Sequence, residues 1–471
     1  MNLSEQDRKF IWHPFTPQKN MPDAIPIVKG EGSLLIDENG KTYIDAISSW
    51  WVNLHGHAHP YIAKKIYQQA LQLEQVIFAG FTHKPAVELA QRLLQILPGN
   101  FSKIFYSDNG STSTEVAIKM AIQYWWNREQ LTVDSWQLAE GKEQLAVGSW
   151  QLTEEEKKSA VGSKKPAVKR KKILAFNKSY HGDTFGAMSV SERGVFTLAF
   201  HDLFFEVIFI DTPSKENLQE LKSIIQQHAE EIAAFIYEPL IQGAGGMKMY
   251  DAKLMNELLA TVKQQNIICI ADEVMTGFGR TGKLFASEYM EHTPDIICLS
   301  KGLTGGTMAL GVTACTKKIY SSFVTDDKLK TFFHGHSFTA NPIACTAANA
   351  SLDLLLKDVC MKRIEMISEE NKKFARQLSS VSERSPSDIC HLSTKNIRTL
   401  GTILAFEIDE GKDEYLNNIS SLVTSKSLDK GVYLRPLGNT VYIMPPYCIT
   451  GDELQKIYTT ILSLLNKTSQ V

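Results

Sequence analysis

Across residues 60–358, short and wholly apolar runs alternate with longer stretches whose apolar residues recur at helical spacing. That alternation restricts the fold more than any other feature of the chain. A short apolar run bounded by turn formers reads as a strand buried on both faces, and the helices between such runs supply the crossovers that a parallel sheet needs. Strands are predicted at 103–107, 173–176, 207–210, 233–237, 267–271, 296–299 and 311–314, and helices at 111–127, 217–230 and 252–265. The expected fold class is therefore α/β, a large domain with a mostly parallel central sheet flanked by helices. At 471 residues the chain is too long for a single core, so further domain structure is expected, and residues 1–59 and 359–471 read as mixed α+β pieces.

One stretch breaks this rhythm. Between residues 131 and 172, Val133, Val147 and Val161 recur every 14 positions, as do Ser135, Ser149 and Ser163, and a basic run closes the stretch. The repeats are too few and too polar to stack into a solenoid, so the stretch reads as a surface insertion, which a loop accepts at small entropic cost.

Charge narrows the partners. Lys and Arg number 50 against 52 Asp and Glu, a balance that creates no field for nucleic acid or an anionic membrane, so a small molecule is the expected partner. Residues 1–12 carry Glu5, Asp7, Arg8 and Lys9 with no apolar core, unlike a secretory signal, and no run reaches the roughly 18 apolar residues of a spanning helix. A cytoplasmic location is expected. Cys269, Cys298 and Cys315 lie inside apolar runs without C-x-x-C spacing and read as buried thiols, neither disulfides nor metal ligands.

The residues that carry chemistry stand where the predicted strands end. The run 267–271 ends in Asp272-Glu273 and the run 296–299 in Ser300-Lys301-Gly302, which places a carboxylate and an amine at the edge of an open α/β sheet where ligands bind. Lysine amines form imines with aldehydes, and an aspartate against a pyridine nitrogen keeps that ring protonated and electron-withdrawing. Alone, Lys301 reads equally well as a surface lysine; Asp272 at a second strand end tips the reading. Asp108-Asn109-Gly110-Ser111-Thr112 follows another strand and opens a helix. By itself it is an ordinary helix cap, but its N–H groups and hydroxyls also suit a phosphate. Tyr180-His181-Gly182 follows a fourth strand and could stack an aromatic ring on a cofactor face.

Two patterns invite other chemistry. Gly277-Phe278-Gly279-Arg280-Thr281-Gly282 fits the dinucleotide G-x-G-x-x-G, yet no helical pattern begins at its last glycine, so a turn is expected. His55, His57 and His59 alternate without a Cys or carboxylate spaced to complete a metal site, and loop packing is expected of them.

Taken together, Ser179-Tyr180-His181-Gly182, Glu238-Pro239, the segment Asp272 through Gly282, Ser300-Lys301-Gly302 and His334-Gly335-His336-Ser337-Phe338-Thr339-Ala340-Asn341-Pro342 resemble the class III, fold-type I, pyridoxal-phosphate-dependent aminotransferases. The resemblance covers nearly all the chain except the insertion. Trp12-His13-Pro14-Phe15, Trp50-Trp51, Leu434-Arg435-Pro436-Leu437 and Met444-Pro445-Pro446-Tyr447 are similar to a branch of that class that passes an amino group from S-adenosylmethionine to 8-amino-7-oxononanoate in biotin biosynthesis. The resemblance implies a small α+β domain built from both chain ends (1–59 and 359–471) beside a large cofactor domain (60–358), and pyridoxal 5′-phosphate as cofactor. It implies Lys301 as the lysine holding the cofactor in a Schiff base, Asp272 as partner of the ring nitrogen, Tyr180 stacked on the ring, and Gly110 and Ser111 on the phosphate. Trp50 and Trp51 would wall a tunnel for the acceptor's aliphatic chain, Arg435 would take a substrate carboxylate, and Asp183 would position the amine donor. Glu238 and Arg280 would line the substrate side. Gly335, His336 and Ser337 would enter from the neighbouring subunit of a homodimer, Ser337 reaching the phosphate. Phe15 stands where many members of the family carry Tyr, and His336-Ser337 where some carry Pro-Thr. Other activities compatible with these residues are transamination of an ω-amino acid such as 4-aminobutyrate, ornithine or lysine, a mutase or decarboxylase reaction on the same cofactor, and a catalytically silent binding protein.

Overall fold

The computed structural model describes residues 1–19, 22–137, 168–382, 392–409 and 419–465. Most of the repeat-bearing insertion, residues 138–167, lies outside them.

All seven predicted strands form, in one sheet. Its spatial order is Phe101–Ser107, Gly311–Thr316, Ile296–Leu299, Ile268–Asp272, Ile232–Tyr237, Lys172–Phe176 and Val207–Ile210. Gly311–Thr316 pairs antiparallel with both its neighbours and every other pairing is parallel, so one strand runs against six. Every residue of Ile232–Tyr237, Ile268–Asp272 and Ile296–Leu299 is buried, as a sheet covered on both faces requires. The strand period of two sorts side chains between the faces. Ile268, Ile270, Ile296 and Cys298 join a core with Val116, Ala117, Met120 and Tyr124 of the helix Gly110–Gln137. Cys269, Ala271, Ile297 and Leu299 join the opposite core with Leu89, Leu93, Leu258 and Ala344, from the helices Lys84–Ile96, Ala252–Gln264 and Pro342–Leu355.

The two chain ends meet in a second layer. Ile27–Glu31, Leu34–Asp37 and Thr42–Asp45 form an antiparallel ribbon whose last strand pairs in parallel with Val432–Tyr433, matching Ile44 to Val432 and Asp45 to Tyr433. Thr394–Leu400, Ile403–Ile408 and Thr440–Ile443 make a further antiparallel sheet. The architecture is thus a large α/β domain with a smaller α+β domain, as in fold-type I aminotransferases. Among the described residues, no helix is long and apolar enough to cross a membrane.

The segment from Gly277 to Gly282 forms a turn, and His55, His57 and His59 lie in the loop before the helix that begins at Pro60. No helix starts at Gly282, His55 hydrogen-bonds Ser351 at 3.0 Å, and His57 lies 3.0 Å from Asp45. Cys269, Cys298 and Cys315 are buried free thiols.

Candidate active site

Five segments converge at one edge of the central sheet because five strands of the same direction end there. Asp108 to Ser111 follow Phe101–Ser107, Tyr180 to Gly182 follow Lys172–Phe176, Glu238 follows Ile232–Tyr237, Asp272 closes Ile268–Asp272, and Lys301 follows Ile296–Leu299. They surround a cavity of about 450 Å³ whose walls include Trp51, Gly110, Ser111, Tyr180, Asp272 and Lys301. This is the carboxyl-end crevice at which open α/β sheets bind ligands.

Lys301 sits in the left-handed backbone region at φ 44°, a strained conformation for a side chain of this size. Its amine lies 4.3 Å from the centroid of the Trp51 ring. Burial pushes its pKa down to about 8, against the opposing pull of the Asp272 and Glu238 carboxylates. An amine with that pKa is a usable nucleophile and proton carrier near neutrality.

Asp272 is buried and fixed on both oxygens: Oδ2 lies 2.7 Å from His181 Nδ1, and Oδ1 accepts the Val274 N–H at 3.1 Å. His181 Nε2 is buried without a partner among the described residues. Glu238, also buried, accepts the N–H groups of Tyr180 at 3.1 Å and Gly243 at 2.8 Å. Burial pushes its carboxyl up to about 7, with His181 pulling down and Asp272 pushing up. The Tyr180 hydroxyl donates to Asp183 Oδ2 at 2.8 Å, and burial with the surrounding carboxylates raises its pKa far above the ordinary phenol value.

The helix Gly110–Gln137 points its N-terminus at this cavity. Asn109 Oδ1 accepts the Thr112 N–H at 2.9 Å, and Ser113 N–H bonds the Asn109 carbonyl at 3.0 Å. The N–H groups of Gly110 and Ser111 have no acceptor among the described residues, and free donors at a helix start attract anions. Gly182 at φ 130° borders the same space, where an added Cβ would sit 2.0 Å from Ser111 Oγ. The free donors, the fixed carboxylate of Asp272 and the amine of Lys301 together fit the phosphate, ring nitrogen and aldehyde of pyridoxal phosphate.

A smaller cavity of about 290 Å³ shares Trp51, Val52, Tyr180 and Lys301 with the first and is otherwise walled by Phe15, Trp50, Phe196, Ala244 and Leu437. The Arg435 guanidinium lies 4.9 Å from the Trp50 ring. Among the described residues no carboxylate pairs with it.

Several expected residues stand elsewhere. Asp183 bonds Tyr180 and offers its N–H to Ser111 Oγ at 2.9 Å, but it is outside the walls of the Lys301 cavity. Gly335, His336 and Ser337 line a separate cavity of about 620 Å³ with Phe78 and Tyr106, so one chain does not bring them to its own Lys301. Arg280 departs from the expectation that it lines the substrate side. It is 1% exposed, and its guanidinium donates to the carbonyls of Pro445 (2.9 Å), Trp51 (3.2 Å) and Asn53 (3.0 Å), because a fully buried cation needs every nearby acceptor it can reach. Sequence reasoning missed the His181 contact to Asp272, although the Tyr180-His181-Gly182 signal was available, and missed Phe196, for which the sequence carries no signal.

The aminotransferase class-III family model matches residues 15–465. An adenosylmethionine-8-amino-7-oxononanoate aminotransferase from Synechococcus elongatus is 42% identical over 467 residues, covering 97% of this chain and 98% of that protein. One from Helicobacter pylori is 36% identical over 477 residues, covering 99% and 98%. Among solved structures, the adenosylmethionine-8-amino-7-oxononanoate aminotransferase of Methanocaldococcus jannaschii superposes with a TM-score of 0.84 at 32% identity, covering 98% of each chain.

Proposed function

The chain belongs to the class III aminotransferases, and we propose that it moves an amino group from S-adenosylmethionine to the ketone of 8-amino-7-oxononanoate, giving 7,8-diaminononanoate for biotin biosynthesis. The substrate names come from its relatives, which match it over almost its full length. The observation that carries the reading is the meeting of Lys301, Asp272 and the open helix start at Gly110 in one cavity, beside an aromatic chamber that shares Trp51, Val52, Tyr180 and Lys301 with it.

Pyridoxal phosphate, when bound, supplies an aldehyde that condenses with amines and a ring that withdraws electrons from the carbon next to nitrogen. Gly110 and Ser111 would hold its phosphate through backbone N–H groups, and Lys301 would hold its aldehyde carbon. Asp272 would hold a proton at the ring nitrogen. Its own position is set by His181 and Val274, so the carboxylate needs no rearrangement when the ring arrives. Lys301, whose pKa of about 8 leaves a usable fraction of its amine unprotonated near neutrality, would accept the proton from the donor's α-carbon. Tyr180, its hydroxyl tied to Asp183, would flank the ring. Trp51 walls both cavities and excludes water from the amine. Arg435 receives a substrate carboxylate with its planar fork of donors.

A homodimer completes the site in this reading. Gly335, His336 and Ser337 lie away from Lys301 in their own chain, which is the arrangement expected if they serve the partner copy, Ser337 adding a hydroxyl to the phosphate. The test is a screen of the purified enzyme against S-adenosylmethionine, lysine, ornithine and 4-aminobutyrate as donors with 8-amino-7-oxononanoate as acceptor, read by mass spectrometry. Formation of 7,8-diaminononanoate with S-adenosylmethionine supports the proposal; formation only with another donor, or none with this acceptor, overturns it.

A further inference from the structure

We propose that Phe196 is a specificity-determining residue that, with Phe15, closes the aromatic chamber beside Lys301 and selects an acceptor with a long unbranched aliphatic chain. The inference rests on the aminotransferase reading above and names what that reading leaves open: which side chain measures the acceptor.

Three rings from distant parts of the chain meet at this chamber. Phe15 stands edge-on to Trp50 at 5.4 Å and 70°, and edge-on to Phe196 at 5.8 Å and 83°. Edge-to-face contacts at these distances are attractive beyond simple burial, so Phe15 bridges the Trp50 wall to Phe196. Phe196 is held from its neighbour: the buried Thr197 donates its hydroxyl to the Glu192 carbonyl at 3.0 Å and its N–H to the Gly194 carbonyl at 3.1 Å. The ring therefore stands on an anchored backbone.

The chamber offers a passing chain almost nothing polar. Its polar side-chain groups are the Lys301 amine, needed for chemistry, the Tyr180 hydroxyl, already bonded to Asp183, the Trp51 indole N–H, already donated to the Tyr442 hydroxyl at 2.9 Å, and the indole N–H of Trp50. A hydroxyl or charge in mid-chain would be desolvated there without a partner, whereas each methylene that leaves water gains about fourfold in affinity. Of the chamber walls that the larger Lys301 cavity does not share, which are Phe15, Trp50, Phe196, Ala244 and Leu437, Phe196 and Phe15 are the two phenylalanine rings. Shortening Phe196 opens that wall to water while Lys301, Trp51 and Tyr180 keep their places.

The test uses the holoenzyme and the straight-chain monocarboxylates from butanoate to nonanoate, with affinity read by calorimetry. For the wild type, affinity climbs with each added carbon. In Phe196→Ala the climb flattens while butanoate binds as before, and Phe196→Leu gives an intermediate slope. In turnover, Phe196→Ala raises the KM for the long-chain acceptor about tenfold or more, with little change in the single-turnover rate of the donor half-reaction. Equal slopes in all three proteins overturn the proposal, as does an equal loss for every acid and for both half-reactions. A wild type that binds the acids with rising affinity but aminates no long-chain ketone would overturn the functional reading and leave the chamber's selectivity standing.

Discussion

The amine of Lys301 lies 4.3 Å from the centroid of the Trp51 ring, so the group that must react is pressed against an aromatic face rather than exposed to water. The consequence is electrostatic. Water would stabilise the ammonium better than this site does, and burial lowers the pKa from 10.5 to about 8 even with Asp272 and Glu238 nearby.

A pH dependence follows for the cofactor-free protein. The folded pKa lies below the unfolded one, so between about 8 and 10.5 the unfolded chain binds more protons, and stability rises with pH through that window. It is lost as pH falls through the folded value. Lys301→Met removes the titrating group, so its melting-temperature advantage over wild type is largest near neutral pH and shrinks by pH of about 10. Melting curves of the two proteins across this range check the sign; an advantage that grows with pH would contradict it. The same variant should show neither turnover nor the visible absorption of a lysine-bound cofactor.

Asp272→Asn keeps the shape of the side chain but removes the charge that sustains a proton on the ring nitrogen. Turnover should fall by about a thousandfold or more, since loss of one preorganised electrostatic partner commonly costs 10²–10³ and here the electron sink itself weakens. Cofactor absorption should persist, because the Gly110 and Ser111 donors and Lys301 are untouched. Loss of the cofactor band together with activity would assign Asp272 to binding instead.

Gly182→Ala tests the cradle at the helix start. The new Cβ would fall 2.0 Å from Ser111 Oγ on a backbone at φ 130°, which costs about 1–3 kcal/mol in backbone strain alone and pushes Ser111 out of place. Cofactor affinity, measured by titrating pyridoxal phosphate into stripped protein, should weaken at least about tenfold, equivalent to about 1.4 kcal/mol. Ser111→Ala leaves the backbone donors in place and should cost less. If the order of the two variants is reversed, the hydroxyl rather than the backbone dominates the phosphate contact.

What could be read from the chain was whatever local pattern dictates. Apolar runs such as Ile268–Asp272 and Ile296–Leu299 announce buried strands by composition, and a strand end fixes which sheet edge its next residues face; hence Asp272 and Lys301 were visible as a pair. The fate of Arg280 was not. Its neighbours in sequence suggest a cavity wall, but its partners are carbonyls at Trp51, Asn53 and Pro445, and only the tertiary meeting of three segments reveals them. His181 against Asp272, 91 positions apart, is hidden for the same reason. Phe196 lies in a stretch without periodicity, and nothing local marks it. Residues 335–337 could be named from a motif, but that they line a cavity with Phe78 and Tyr106 apart from that of Lys301 is a tertiary fact that no local pattern encodes.

The tryptophan wall depends on a turn that the chain does not favour by itself. Ser48, Ser49, Trp50 and Trp51 all have positive φ, from 45° to 74°, and none is glycine, so each carries about 1 kcal/mol or more of backbone cost. Asp45, fully buried at the end of Thr42–Asp45, offsets part of it: Oδ2 accepts from Ser49 Oγ at 2.7 Å and lies 3.0 Å from His57 Nε2. Ser48 Oγ donates to the Met444 carbonyl at 2.7 Å, and Arg280 reaches the Trp51 carbonyl. Asp45→Asn removes the carboxylate that accepts from Ser49 and faces His57 and should destabilise the protein by about 2 kcal/mol, as loss of a hydrogen bond to a charged group does. Ser49→Ala removes a single hydrogen bond and should cost about 1 kcal/mol. Because the turn presents Trp51 to Lys301, Asp45→Asn should also move the Lys301 amine from about 8 toward its ordinary basicity, shifting the pH midpoint of cofactor attachment upward. Ser49→Ala should leave that midpoint in place. A variant at 45 that loses stability with an unchanged midpoint would mean that the Trp51 ring holds its position without the turn, through its indole N–H donated to the Tyr442 hydroxyl at 2.9 Å and its packing in the cluster with Tyr442 and Met275.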